Sequence, residues 1–221
     1  MSSTRITSVS PSAASSDTSK AWIRFLNRSD FSGILTKGGT MLGTSRQPFK
    51  LMRVPDENGL DKVGLMKHTY YKLKLDALVV LGGNGSQKTA NLLSEEGLNV
   101  IGLPKTIDND LMNTDHTPGY GSAAKYIGAI MKEITRDSLV YGTRNVTIVE
   151  VMGRNAGWLT GAAALAKAED CEGVDMICLP EVAFDIDHFI ERLDVLQRAK
   201  AGVVIAVSEG VRVHDGRYVC E

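Results

Sequence analysis

From about residue 60 onward, short apolar runs alternate with segments whose apolar residues recur at helical spacing. Residues 76–81 (DALVVL), 98–103 (LNVIGL), 146–151 (VTIVEV), 175–180 (DMICLP) and 202–208 (GVVIAVS) are continuous and rich in β-branched residues, and they read as strands buried on both faces. Between them, residues 87–96, 122–136, 158–168 and 186–199 have helical periodicity and enough length for crossover helices. Strand, helix, strand with right-handed connections predicts a mostly parallel sheet. In such a sheet the ligand crevice lies at the carboxyl ends of the strands. There the sequence turns polar and glycine-rich: GGNGSQ after Leu81, PKTIDND after Leu103, MGRNAG after Val151 and SEG after Val207. Four strand ends are therefore expected to line one crevice.

Composition narrows the partners more than the fold. The 221 residues allow one large α/β domain or two small ones. The first 20 contain eight Ser, three Thr, one Pro and a single acidic residue, a mixture expected to stay disordered as a tail, leaving 21–221 as one α/β domain. With 25 basic and 26 acidic residues spread evenly, the net charge is −1, which offers no footprint for nucleic acid or an anionic membrane. No apolar run approaches the roughly 20 residues of a membrane span. Cys171, Cys178 and Cys220 lack metal-type spacing and fit a reducing, cytoplasmic setting. The four histidines cannot be assembled into a Ser/His/Asp or two-His metal arrangement.

The strand-end motifs carry the chemistry. In GGNGSQKTA, Gly82, Gly83 and Gly85 stand between a strand and a helix, where backbone can approach a phosphate closely and a helix N-terminus offers positive charge. A plain glycine turn capped by Ser86 is the alternative. In PKTIDND, Pro104 stops the strand, and Thr106, Asp108 and Asp110 crowd together beside Lys105. Carboxylates so close raise each other's energy unless a cation, a metal or a proton-donating substrate offsets it. The functional reading is a general base for a substrate hydroxyl, with Lys105 facing transferring negative charge; the bland one is an Asp-rich helix cap. Arg154, directly after Gly153 at a helix start, calls for an anion nearby. Residues 38–46, GGTMLGTSR, repeat the theme of glycines, hydroxyls and one arginine. Glu209 is a candidate for binding sugar hydroxyls, or else caps its own turn.

GGTMLGTSR, GGNGS, PKTIDNDL, TPGYGSAAKY, EVMGRNAGW and VSEG, in this order, resemble the phosphofructokinase family over roughly residues 31–215. The resemblance implies a three-layer, Rossmann-like α/β sandwich. It implies phosphoryl transfer from ATP, or less readily pyrophosphate, with Mg²⁺, to the 1-hydroxyl of fructose 6-phosphate in glycolysis. By motif, Asp108 is expected as the base, with Arg154 and Lys105 completing the catalytic set. Thr106, Ile107, Asp110, Met152, Gly153 and Glu209 are expected at the sugar, Arg46, Gly83, Gly85 and Ser86 at the donor, and a homo-oligomer, dimer or tetramer, as the assembly. Gly85 stands where an aspartate goes with pyrophosphate use, which leaves room for ATP, whereas Lys105 is commoner in pyrophosphate enzymes. Asn84 stands where the family mostly places an acidic residue associated with Mg²⁺, and a neutral amide is the weaker ligand for a hard cation. The family's first glycine-rich loop and its later arginines and histidines for the 6-phosphate have no counterpart, so the chain reads as truncated. The alternative function is a non-catalytic, truncated or regulatory relative that binds nucleotide or sugar phosphate.

Overall fold

The computed structural model describes residues 6–10, 22–41, 49–55 and 59–220. The chain divides into two compact units, one of residues 1–78 and 88–100, the other of 79–87 and 101–221. Sequence reading expects a single domain; two separate apolar clusters account for the division.

The first unit holds β1 (Ile6–Ser10) antiparallel to β2 (Trp22–Leu26) and helix α1 (Lys62–Lys72). β1 falls inside the segment expected to be a disordered tail. Its Ile6, Thr7 and Val9 are β-branched, which favours pairing despite the serines, while 1–5 and 11–21 lie outside the described residues. Asp61 caps α1 by accepting the Gly64 N–H at 3.0 Å. Met52, Val63, Tyr70, Leu92, Leu93 and Leu98 form this unit's core. Glu96 accepts hydrogen bonds from Arg53 at 2.7 Å and Lys67 at 3.1 Å, and the Arg53 bond leads the causes that hold its carboxyl below the usual range.

Two parallel sheets carry the expected strands. β3 (Leu78–Gly82) pairs with β4 (Val100–Pro104), with helix α2 (Asn84–Glu95) as their crossover. The Leu78 N–H donates to the Asn99 carbonyl at one end, and Lys105 N–H to Gly82 at the other. The second sheet has the order β5-β7-β6, made of β5 (Asn145–Val151), β6 (Met176–Cys178) and β7 (Gly202–Ser208), all parallel. Helix α3 (Tyr120–Val140), the short α4 (Trp158–Gly161) with the 3₁₀ turn Ala162–Ala166, and α5 (Ile186–Ala199) pack on β7 or beside it. Met131, Val151, Leu159, Ala163, Ala166 and Ala206 form the core between β5, β7, α3, α4 and the 3₁₀ turn.

Burial departs from expectation. β7 is the strand that matches the double-sided reading, with Val203, Val204, Ile205 and Ala206 all buried. On β3 and β4, by contrast, Val79, Leu81, Ile101 and Leu103 are 50, 53, 50 and 43 % exposed, and Ile148 on β5 is 57 % exposed. Helices cover β7, whereas among the described residues these strands keep an uncovered apolar face. The helix expected over 158–168 is instead one α turn and a 3₁₀ turn, at a place where Gly128 of α3 comes hard against Leu165. No helix among the described residues is long and apolar enough to cross a membrane.

Candidate functional site

The glycine-rich turn follows β3 directly. Lys105 N–H donates to the Gly82 carbonyl at 2.9 Å, and the Gln87 side chain donates to the carbonyls of Gly82 and Leu103, each at 3.0 Å. These bonds clamp the ends of β3 and β4 together. Helix α2 begins at Asn84, so the turn leads straight into a helix N-terminus, with Asn84 and Gly85 exposed and Gly83 and Ser86 half-buried. Gly83 faces Thr106: a Cβ there would lie 3.4 Å from the threonine Cβ. Arg46 lies outside the described residues.

The loop after β4 is built around a buried asparagine. Asn109 has φ +54 and is 6 % exposed; its amide donates to the Asp115 carbonyl at 3.0 Å and its oxygen accepts the Thr117 N–H at 2.8 Å. Asparagine is among the few residues that tolerate this left-handed backbone. Thr117 also donates its hydroxyl to the Thr106 carbonyl at 2.6 Å, and the Thr106 hydroxyl accepts the Asp108 N–H at 3.2 Å. The Asn109 anchor thus leaves the flanking Asp108 and Asp110 half-buried. Ile107 turns its side chain against the second unit's core, so only its main chain remains for the substrate role expected of it. Lys105 is exposed, and its ammonium has no partner among the described residues.

The ends of β5 and β7 lock into each other. Glu209 accepts the Gly153 N–H at 3.0 Å while its own N–H donates to the Val151 carbonyl at 2.9 Å. Ser208 Oγ donates to the Gly153 carbonyl at 2.9 Å and accepts the Gly210 N–H at 3.1 Å. Gly153 has φ +122, and a Cβ on Gly210 would overlap the Arg154 carbonyl, so both positions need glycine. Met152 and Arg154 are exposed beside this lock. The Arg154 guanidinium lies 5.1 Å from the Tyr218 ring centroid.

Asp108 ties the two regions together electrostatically. Burial pushes its carboxyl above the usual range, and the charges of Asp110 and Glu209 push it further in the same direction. Asp108, Asp110 and Glu209, with the Gly153 N–H that Glu209 binds, are therefore one neighbourhood. Asn109, Thr117, Ser208 and Tyr218 support it and were not singled out by sequence reasoning. An asparagine between two aspartates, with a threonine eight residues on, is the signal the sequence offers for the first pair.

Among the described residues no three His, Cys, Asp or Glu side chains gather to hold a metal. Beside substrate phosphates Mg²⁺ usually takes one or two carboxylates from the protein. Asn84, exposed at the start of α2, offers in their place an amide oxygen without charge.

These features define a parallel α/β protein with its polar residues gathered at the carboxyl ends of the strands, a placement typical of ligand-binding proteins of this class. The chain belongs to the phosphofructokinase family: the family's profile, described as Phosphofructokinase, matches residues 14–221. The ATP-dependent 6-phosphofructokinase of Spirochaeta thermophila is 46% identical over 195 residues, covering 85% of this chain and 50% of that protein. Its counterpart in Propionibacterium freudenreichii is 41% identical over 184 residues, covering 82% and 47%. Among solved structures, the pyrophosphate-dependent phosphofructokinase from Marinobacter aquaeolei superposes with TM-score 0.63 at 32% identity, over 79% of this chain and 44% of that one. Pichia pastoris phosphofructokinase in the T-state gives TM-score 0.69 at 26% identity, over 89% and 22%. The chain spans about half the length of the curated relatives it matches.

Proposed function

We propose that the chain transfers the terminal phosphoryl group of ATP to the 1-hydroxyl of fructose 6-phosphate, a glycolytic step in the cytoplasm. The observation that carries this is Asp108, a half-buried carboxylate beside Asp110 and Glu209 whose affinity for a proton is raised. That is the property a general base needs. Asp108 takes the hydroxyl proton, the sugar oxygen bonds the terminal phosphorus, and the bridging oxygen leaves with ADP. Arg154 meets the charge on the transferring group, Lys105 adds a second cation, and the first turn of α2, with Gly83, Gly85 and Ser86, receives donor phosphates. Thr106, Asp110, Met152, Gly153 and Glu209 flank the sugar. Asn84 would hold Mg²⁺ in part through its amide oxygen, and the ion would neutralise charge on the donor phosphates.

ATP is favoured because Gly85 adds neither bulk nor charge beside the donor, and the curated relatives named above are ATP-dependent. The solved neighbour from Marinobacter aquaeolei is pyrophosphate-dependent, so the assay must offer both donors. The uncovered apolar faces of β3, β4 and β5 support a homo-oligomer. Asn84 favours the second reading, a non-catalytic relative that binds the same phosphates, since an amide brings no charge to the metal. Purified chain, Mg²⁺ and fructose 6-phosphate with ATP or with pyrophosphate separate the two. Product formation with ATP is expected; binding of both substrates without product supports the second reading.

A further inference from the structure

Two arginines share one ring. The Arg154 guanidinium carbon lies 5.1 Å from the Tyr218 centroid and that of Arg212 lies 4.3 Å from it; Arg212 also donates a hydrogen bond to the Tyr218 hydroxyl. Arg53, Arg136, Arg198 and Arg217 reach carboxylates instead. Neither Arg154 nor Arg212 has a carboxylate partner among the described residues. Like charges beside one ring repel, the ring face attracts each of them, and a bound anion offsets the remainder.

The local chain path explains how a residue so late in the sequence reaches the strand ends. Arg212 and Tyr218 form an antiparallel bridge, closed by Val219 N–H to the Val211 carbonyl and Val213 N–H to the Arg217 carbonyl, each at 3.0 Å. Gly216, at φ +86, makes the reversal. The hairpin springs from Gly210, which is pressed against the Arg154 carbonyl. The backbone of Arg154 and the ring that receives its side chain are thus held by the same short segment.

We propose that Tyr218 is a positioning residue for Arg154, holding its guanidinium in place for the transferring phosphoryl group, while Arg212 fixes the ring through its hydroxyl. The inference rests on the phosphoryl-transfer reading above. A free arginine samples many rotamers; one already stacked loses less freedom when the anion arrives, so more of the attraction appears as binding.

Calorimetric titration of the full chain tests this, with fructose 1,6-bisphosphate, which carries the transferred group, and fructose 6-phosphate, which lacks it. Tyr218→Leu is expected to weaken the bisphosphate roughly tenfold, the scale of one cation–π contact, and to leave the monophosphate within about twofold. Tyr218→Phe, which keeps the ring, should restore most of the affinity. In an Arg154→Ala background Tyr218→Leu should add nothing, because its effect passes through that arginine. Should the leucine variant not fold, Tyr218→Met, which keeps bulk without an aromatic face, carries the same cycle, with its loss present beside Arg154 and absent without it. Equal losses for both ligands, losses that add to that of Arg154→Ala, or no bisphosphate binding by the unaltered chain would overturn the proposal. A chain that obeys the cycle yet yields no product with ATP or pyrophosphate removes the proposed reaction and leaves the stacking role standing.

Discussion

At the scale of single residues, Asp108 is where fold stability and function oppose each other. Burial first, and then Asp110 and Glu209, make its carboxylate harder to ionise than an ordinary one. Because the folded state holds the proton more tightly than the unfolded chain, stability falls as pH rises from the ordinary carboxylate range through the raised value. Asp108→Asn removes the penalty. It should raise the thermal midpoint at neutral pH and flatten this acid-side slope, while lowering turnover by about 10²–10⁴-fold. The acid limb of the rate profile should likewise sit above the ordinary carboxylate range. Asp110→Asn takes away one repelling charge, lowers the Asp108 value and should move that limb to lower pH; an unmoved limb would dissociate Asp108 from the rate.

The chemical residues were legible because their types are unusual at a strand end: two aspartates and a lysine after an apolar run, and an arginine after a glycine. Their supports were not. Asn109 looks like any loop asparagine until its backbone turns left-handed and its amide reaches Asp115 and Thr117. Ile107 sits inside the motif, yet its side chain serves the core. Tyr218 depends on a chain reversal at Asp215-Gly216, whose hairpin signal lies outside the strand ends that the motifs mark.

Elements set how precisely these groups are held. The locked ends of β5 and β7 depend on Gly210, where any side chain meets the Arg154 carbonyl. Gly210→Ala should cost about 1–3 kcal/mol, the usual range for overpacking, measured by urea denaturation, and should lower turnover by shifting Arg154. Asn109→Ala removes two hydrogen bonds from a buried position, leaving the Thr117 N–H unpaired, and should cost about 1–3 kcal/mol. All five parallel strands were readable as short apolar runs, and β-branched residues dominate β5 and β7. Their burial was not: the same run describes β7, covered by helices, and β3, half open to solvent. A continuous apolar run records what a strand is able to bury, and the partner that buries it need not belong to the same unit or chain.

For the whole molecule, that open surface is the main energetic fact. Val79, Leu81, Ile101, Leu103 and Ile148 are each 43–57 % exposed, and apolar area gains about 25 cal/mol per Å² when taken out of water. The chain should therefore self-associate. Sedimentation velocity is expected to show concentration-dependent oligomers, weakened by Leu81→Lys with Ile101→Lys; a strict monomer at all concentrations would contradict this. The two-unit organisation was invisible in the sequence, because helical and strand periods run on without a linker across both cores.

The account's central claim is that Asp108 serves as the base in phosphoryl transfer to fructose 6-phosphate. Product formation from fructose 6-phosphate, Mg²⁺ and saturating ATP, followed side by side for the unaltered chain and Asp108→Asn, tests it most directly. The account predicts turnover by the former and a loss of at least about a hundredfold in the latter; equal rates in the two would contradict it, as would no product from the unaltered chain with ATP or pyrophosphate.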